Sequence, residues 1–363
     1  MTTNNQNTPK QNYNAIDLAK FIFAIIVIMA HIPPLGEPCE NSLSYNLYFW
    51  FRDCLGRVIN PFFFISAGYF LFRKIPMNSS TDMNRAVKYI THVLKLYIIW
   101  TIIYLPAVLS VYLRSGRSPL RFIISYIRNF FIVGSYIHLW FLNSLIIAVC
   151  IIVFLLYKKV KPPIIIFMAI CFYVIGLFAQ TWFGFITPLK GSAPFLWKML
   201  IMTKKTIVTT RNGLFCGFVF VAIGMLFAYY NINLTRRASL VLWLISTVGM
   251  FIEIYLVHNF HYAREYDMNL CMIPSGFFLF SFVKQISLPD NKIFKVFRSQ
   301  SSIIYYVHFL IYWIFQEITK FLSIDASHSC LPFLFVLIGS CIISYAIYTL
   351  SKKEKWKFLN YLY

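Results

Sequence analysis

Charge of either sign is scarce in this chain, and acid especially so. Only 12 Asp and Glu occur among 363 residues, and charged side chains make up 12% of the total. Soluble domains carry about 25% charged and roughly 45–50% apolar residues, whereas 59% of this chain is hydrophobic. An ordinary globular fold is excluded, because too few polar residues remain to cover so much apolar surface. A disordered chain is excluded for the opposite reason, since it needs low hydrophobicity and high charge. The eight cysteines show neither CxxC nor metal-ligand spacing, and the seven histidines are scattered, so no metal site is expected. No internal repeat is visible. The first apolar run ends in His31-Ile32-Pro33-Pro34, without a small-residue cleavage site, and is not read as a cleaved signal peptide.

What the chain does have is 33 Lys and Arg, for a net charge of +21. In a soluble protein this would suggest nucleic acid. Here the cations read as loop and interface residues of a membrane protein, and no nucleic-acid partner is expected. A span needs about 20 mostly apolar residues. Ten candidates meet this, at about 15–33, 56–72, 92–113, 138–157, 163–183, 213–230, 238–257, 270–287, 302–322 and 331–350. Residues 120–137 are apolar but carry Arg121 and Arg128, and read as an amphipathic segment at the interface, with an eleventh span as the alternative. The expected fold class is therefore all-α, a polytopic membrane helical bundle of about ten transmembrane helices. One membrane domain over 15–350 is flanked by a disordered tail at 1–14 and a basic tail at 351–363. An even number of spans puts both termini on one side, and the distribution of Lys and Arg favours the cytoplasm. The expected location is the plasma (inner) membrane.

Ionisable residues inside spans usually face a cavity or a partner, because lipid exposure costs several kcal/mol. Span one holds the most informative set. Asp17, Lys20, Ala24, Val27 and His31 follow one another at intervals of three and four residues, which places them on one helical face. Lys20 and His31 are three turns apart, about 16 Å along the axis. Taken singly, Lys20 is explained by snorkelling to the interface, and Asp17 by the helix dipole. A histidine sharing their stripe favours a lined cavity, with Asp17 neutralising Lys20. Ser66-Ala67-Gly68 in the second span reads first as a close-packing surface. Arg73 and Lys74 follow at its end, and Lys95 precedes Tyr97 in the third. His138, Arg211, Asp267 and His308 are further polar positions at or within spans.

The segments IDLAKFIFAIIVIMAHI, NPFFFISAGYFLF, KLYIIW, HLWFLNSLI, RNGLFCGFVFVAIGM and YYVHFLIYW, in this order, resemble the acyltransferase-3 family of integral membrane acyltransferases. The RNGLF block is also similar to the membrane part of serine-racemase-type resistance proteins. Family members carry a basic residue, usually arginine, eleven positions before a histidine in the first helix, matching Lys20 and His31. The resemblance implies transfer of an acyl group, acetyl most simply, from cytoplasmic acyl-CoA as co-substrate to a hydroxyl of a cell-envelope glycan or its lipid-linked precursor. A sugar hydroxyl is a weak nucleophile at neutral pH, and an imidazole is suited to take its proton. The expected roles follow. His31 is the base; Lys20, Lys95, Arg73 and Lys74 hold CoA phosphates; Asp17 orients Lys20; Ser66 and Tyr97 are oxyanion candidates; and His138, Arg211, Asp267 and His308 face the acceptor. The rival expectation is a membrane carrier for a small polar solute such as an amino acid, with the same charged spans lining its path.

Overall fold

The computed structural model describes residues 13–39, 42–75, 83–232 and 234–363, the side chains of 203–206 excepted. The expected tail at 1–14 thus lies outside the described residues up to residue 12. Among the described residues the chain forms fourteen α-helices and no strand. They are α1 Asn14–His31, α2 Leu43–Asp53, α3 Ile59–Phe72, α4 Met83–Ser115, α5 Pro119–Ile132, α6 Trp140–Tyr157 and α7 Pro162–Leu177. After these come α8 Leu189–Ser192, α9 Pro194–Ile207, α10 Phe218–Tyr229, α11 Arg236–Asn259, α12 Met272–Lys284, α13 Ile293–Phe321 and α14 Leu331–Leu350.

All ten expected spans coincide with helices: α1, α3, α4, α6, α7, α10, α11, α12, α13 and α14. Among the described residues six stretches are long and apolar enough to cross a membrane, with α2 and α3 joining into one, Leu43–Phe72. Three others, at 162–177, 213–229 and 272–284, are apolar but shorter. α13 is long, but Lys295, Arg298 and a run of Ser, Tyr and His dilute its apolar character. The segment read as interfacial forms α5, which has Pro at its start and buries none of its residues. At fourteen residues it rises only about 21 Å. Residues 351–363 do not trail away. They coil as a 3₁₀ segment, Glu354–Leu362, and the Trp100 indole of α4 donates to the Leu362 carbonyl at 3.0 Å. All eight cysteines are free, Cys39 and Cys330 included.

The core is a helix pair that small residues bring together. A Cβ on Gly68 of α3 would overlap the Val221 carbonyl of α10, and one on Gly224 of α10 would overlap the Ile65 carbonyl of α3. Backbones this close gain dispersion contacts that larger residues forbid, as expected inside a bilayer where helix association has no hydrophobic drive. Gly224→Val should therefore lower stability by about 1–3 kcal/mol or more, seen as an earlier thermal transition of the detergent-solubilised protein. An unchanged transition would mean that α3 and α10 do not touch there.

α1 and α13 lie side by side and parallel. Asp17 meets Arg298 at one end of the pair, and the His31 ring meets the His308 ring near the other. We call these the basic end and the histidine end.

Candidate functional site

The site is built along the α1–α13 seam. α13 repeats the spacing of α1, since Arg298, Ser301, Tyr305 and His308 fall on one face at intervals of three, four and three. At the basic end Arg298 grips the buried Asp17 carboxylate with its fork, Nε at 2.9 and 3.0 Å and Nη2 at 2.5 Å. Asp17 therefore does not pair with Lys20 as expected. The planar guanidinium satisfies both carboxylate oxygens at once, which a single ammonium cannot do. Lys20 is left over the Phe70 ring, 5.0 Å from its centroid, with its charge turned to open space.

Two cavities share Lys20. The first, of about 950 Å³ at the basic end, is lined by Lys20, Arg73, Lys74, Lys292, Lys295 and Arg298 against only Asp17 and Asp290. Arg73 is held over the Tyr13 and Tyr69 rings. Such a concentration of cations in a concave surface raises the local concentration of anions. The second cavity, of about 230 Å³, runs inward from Lys20 past Val27, Asn60, Ala67, Ser301 and Tyr305. It reaches to one helical turn from His31 on α1 and from His308 on α13. On the far side a recess of about 650 Å³ begins at Ile32, the residue after His31, and at Tyr312, one turn beyond His308. The histidine pair thus stands at the partition between a space open to the basic end and a space open to the opposite face.

At that partition the His31 and His308 rings lie nearly parallel, 6.0 Å apart, with Phe309 4.9 Å from His31 and His138 5.1 Å from His308. His31 is exposed, whereas His138 and His308 are buried. His308 Nδ1 lies 3.1 Å from the Ile304 carbonyl, to which it donates, fixing the ring and leaving Nε2 facing inward. That Nε2 and both ring nitrogens of His138 make no hydrogen bond of good geometry among the described residues. Buried polar atoms are costly to leave so, which marks the histidine cluster as a place for a polar guest or water. The Tyr104 hydroxyl holds the turn carrying His308 by donating to the Tyr306 carbonyl (2.6 Å) and accepting from Leu310 N (2.9 Å). A side chain inserted into a helix ladder in this way fixes the local bend.

Beside the histidine cluster runs a chain of ion pairs. Arg57 joins Asp53 (2.6 Å) to Asp267 (2.6 Å), and Asp267 also accepts from Arg211 at 3.1 Å. Asp267 lies in the loop between α11 and α12. Burial by itself would raise its carboxyl, but Arg57 and Arg211 outweigh that and hold it below the usual carboxylate range. Arg211 also sits 4.9 Å over the Trp140 ring, two residues after His138. His138, Arg211, Asp267 and His308 therefore come together around His31.

The remaining residues are placed elsewhere. Lys95 is exposed and lines a further recess with Lys88 and Tyr361, which shares His92 and Leu96 with the narrow cavity but no residue with the basic one. The Tyr97 hydroxyl is occupied, donating to the Phe130 carbonyl (2.7 Å) and accepting from Ser135 N (2.9 Å), so it ties α4 to the end of α5. Ser66 is fully buried in the α3 wall, and its hydroxyl makes no hydrogen bond among the described residues. Sequence reasoning passed over Arg298, Lys292, Lys295 and Arg57 as site residues. A signal for Arg298 was available in the stripe on α13 that matches the stripe on α1. Among the described residues no three His, Cys, Asp or Glu side chains are placed to hold a metal ion.

The model of the acyltransferase domain family matches residues 13–349, nearly the whole bundle. The chain belongs to this family. As a multi-pass membrane acyltransferase-domain protein it is similar to an amino-acid racemase of Enterococcus faecalis, at 28% identity over 95% of this chain and 47% of that protein. It is also similar to a serine/alanine racemase of Enterococcus gallinarum, at 28% identity over 74% of this chain and 36% of the relative. The chain thus spans less than half the length of these curated relatives. No solved structure matches it.

Proposed function

We propose that the protein moves an acyl group, acetyl most simply, from acyl-CoA bound at the basic end to a hydroxyl presented from the opposite face, with His31 as the base. One observation carries the reading: Lys20 belongs to both the basic cavity and the narrow one that leads to within a turn of His31. The phosphates of CoA would sit among Lys20, Arg73, Lys74, Lys292, Lys295 and Arg298. The thiol arm would follow the narrow cavity, and the three turns from Lys20 to His31, about 16 Å, suit an extended arm.

The imidazole of His31 takes the acceptor proton while the oxygen attacks the thioester carbon. The tetrahedral intermediate then expels the thiolate, which receives that proton as the C–S bond breaks. The products are an ester and free CoA thiol. His138, His308, Arg211 and Asp267 border the acceptor side, where the His138 and His308 imidazoles would hydrogen-bond the incoming hydroxyl. An envelope glycan or lipid-linked precursor is the acceptor class that fits a recess open to the face opposite the donor. The excess of Lys and Arg at the basic end supports placing that end, and both termini, in the cytoplasm.

A second reading has its own support, because the relatives are named for amino-acid chemistry. In it the same string of cavities carries a small polar solute such as an amino acid. Sealed vesicles holding the protein, supplied with acyl-labelled CoA, separate the two. We expect label to leave CoA and appear on an envelope acceptor. Amino-acid accumulation with no labelled product would replace the enzyme reading with the carrier.

A further inference from the structure

Lys95 sits where neither the catalytic reading nor a plain transmembrane helix wants a charge. Along α4, residues Lys88, Thr91, Lys95, Ile98 and Ile102 follow at intervals of three, four, three and four, forming one continuous face. Each of the five is exposed. The face is cationic at its first two turns and aliphatic beyond. Beside its cationic half lies a recess of about 300 Å³, lined by Val87, Lys88, Thr91, His92, Lys95, Leu96 and Tyr361, with no acid among the described residues.

The depth of this recess can be read from its neighbour, the 3₁₀ segment Glu354–Leu362. That segment is pinned to α4 by the Trp100 indole and closed on itself by the Tyr363 hydroxyl, 2.9 Å from Ser351 Oγ. It exposes Trp356, Phe358 and Tyr361. Lys352, Lys353 and Lys355 are exposed beside them. Aromatic and basic residues mixed in this way mark the headgroup level of a bilayer. Such a level would put Lys88 and Lys95 at the headgroups and Ile102, further along the helix, among the acyl chains.

We propose that this recess binds the phosphate of an anionic phospholipid, with the lipid's tails laid along Ile98 and Ile102. Charge complementarity selects the occupant: among the described residues two lysines, a threonine and a histidine line the recess beside Val87 and Leu96 with no carboxylate among them, and basic clefts at this depth recruit acidic headgroups. The site does not depend on which reaction the bundle performs.

The test uses the full chain in nanodiscs of phosphatidylcholine doped with phosphatidylglycerol, with the retained lipid counted by native mass spectrometry. The wild type should keep phosphatidylglycerol in preference to phosphatidylcholine. Lys88→Gln/Lys95→Gln should lose that preference by about tenfold or more, and because both lysines are exposed the variant should fold normally. Lys158→Gln/Lys161→Gln, which removes two exposed cations from the α6–α7 turn, should leave it unchanged. Equal retention by wild type and the α4 variant would overturn the proposal, as would an equal loss in the turn variant, which would reduce the effect to general surface charge. Displacement of the lipid by soluble glycerol 3-phosphate at comparable concentration would also overturn it, by showing a site for free phosphate.

Discussion

Replacing His31 by alanine should abolish acyl transfer while leaving the protein folded in the membrane. General-base catalysis by a positioned imidazole is worth about 10²- to 10⁴-fold, so the rate at saturating acyl-CoA should fall by at least the lower figure. Binding of acyl-CoA should persist, because the basic cavity lies three turns away on α1. The His31 ring also packs against His308 and Phe309, so a loss of rate is informative only if the thermal transition and membrane level match the wild type. A folded His31→Ala protein that acylates at the normal rate would remove the base from the mechanism.

Neutralising Lys20 should have a different signature. Lys20→Gln removes the one cation among the described residues that is shared by the donor cavity and the channel towards His31. A hydrogen bond to a charged group is worth about 1.5–3 kcal/mol, so KM for acyl-CoA should rise roughly ten- to a hundredfold. The rate at saturation should change little, and added salt should weaken the wild type towards the variant, because screening acts on this attraction. Fold integrity is not at issue, because the Asp17–Arg298 pair carries the structural charge at that end. A collapse of kcat with unchanged KM would place Lys20 in the chemistry and not in donor binding.

Much of the site was legible in the chain itself. The stripe holding Asp17, Lys20 and His31 needed only the helical period, and α1 does turn these residues to one side. The small residues of the second span read correctly as a close-packing surface, and Gly68 meets α10 at backbone distance. Lys95 was not legible. Its neighbours Leu96 and Tyr97 point inward while it faces out, and one position along a helix, about 100° of rotation, separates the donor cavity from the lipid. The partner of Asp17 was equally hidden. Lys20 is one turn away in sequence and Arg298 is 281 residues away, yet the fork geometry of arginine takes the carboxylate.

Composition and hydrophobic periodicity, by themselves, determined that this is a helical membrane protein and where its helices run, because the bilayer demands internally bonded, apolar segments. They also set which residues share a face within a single helix. Only the tertiary structure decided which faces look at each other: α1 against α13, three histidines from separate segments in one cluster, and the returning 354–362 segment on α4. Those pairings depend on packing between segments remote in the chain, to which local periodicity is blind.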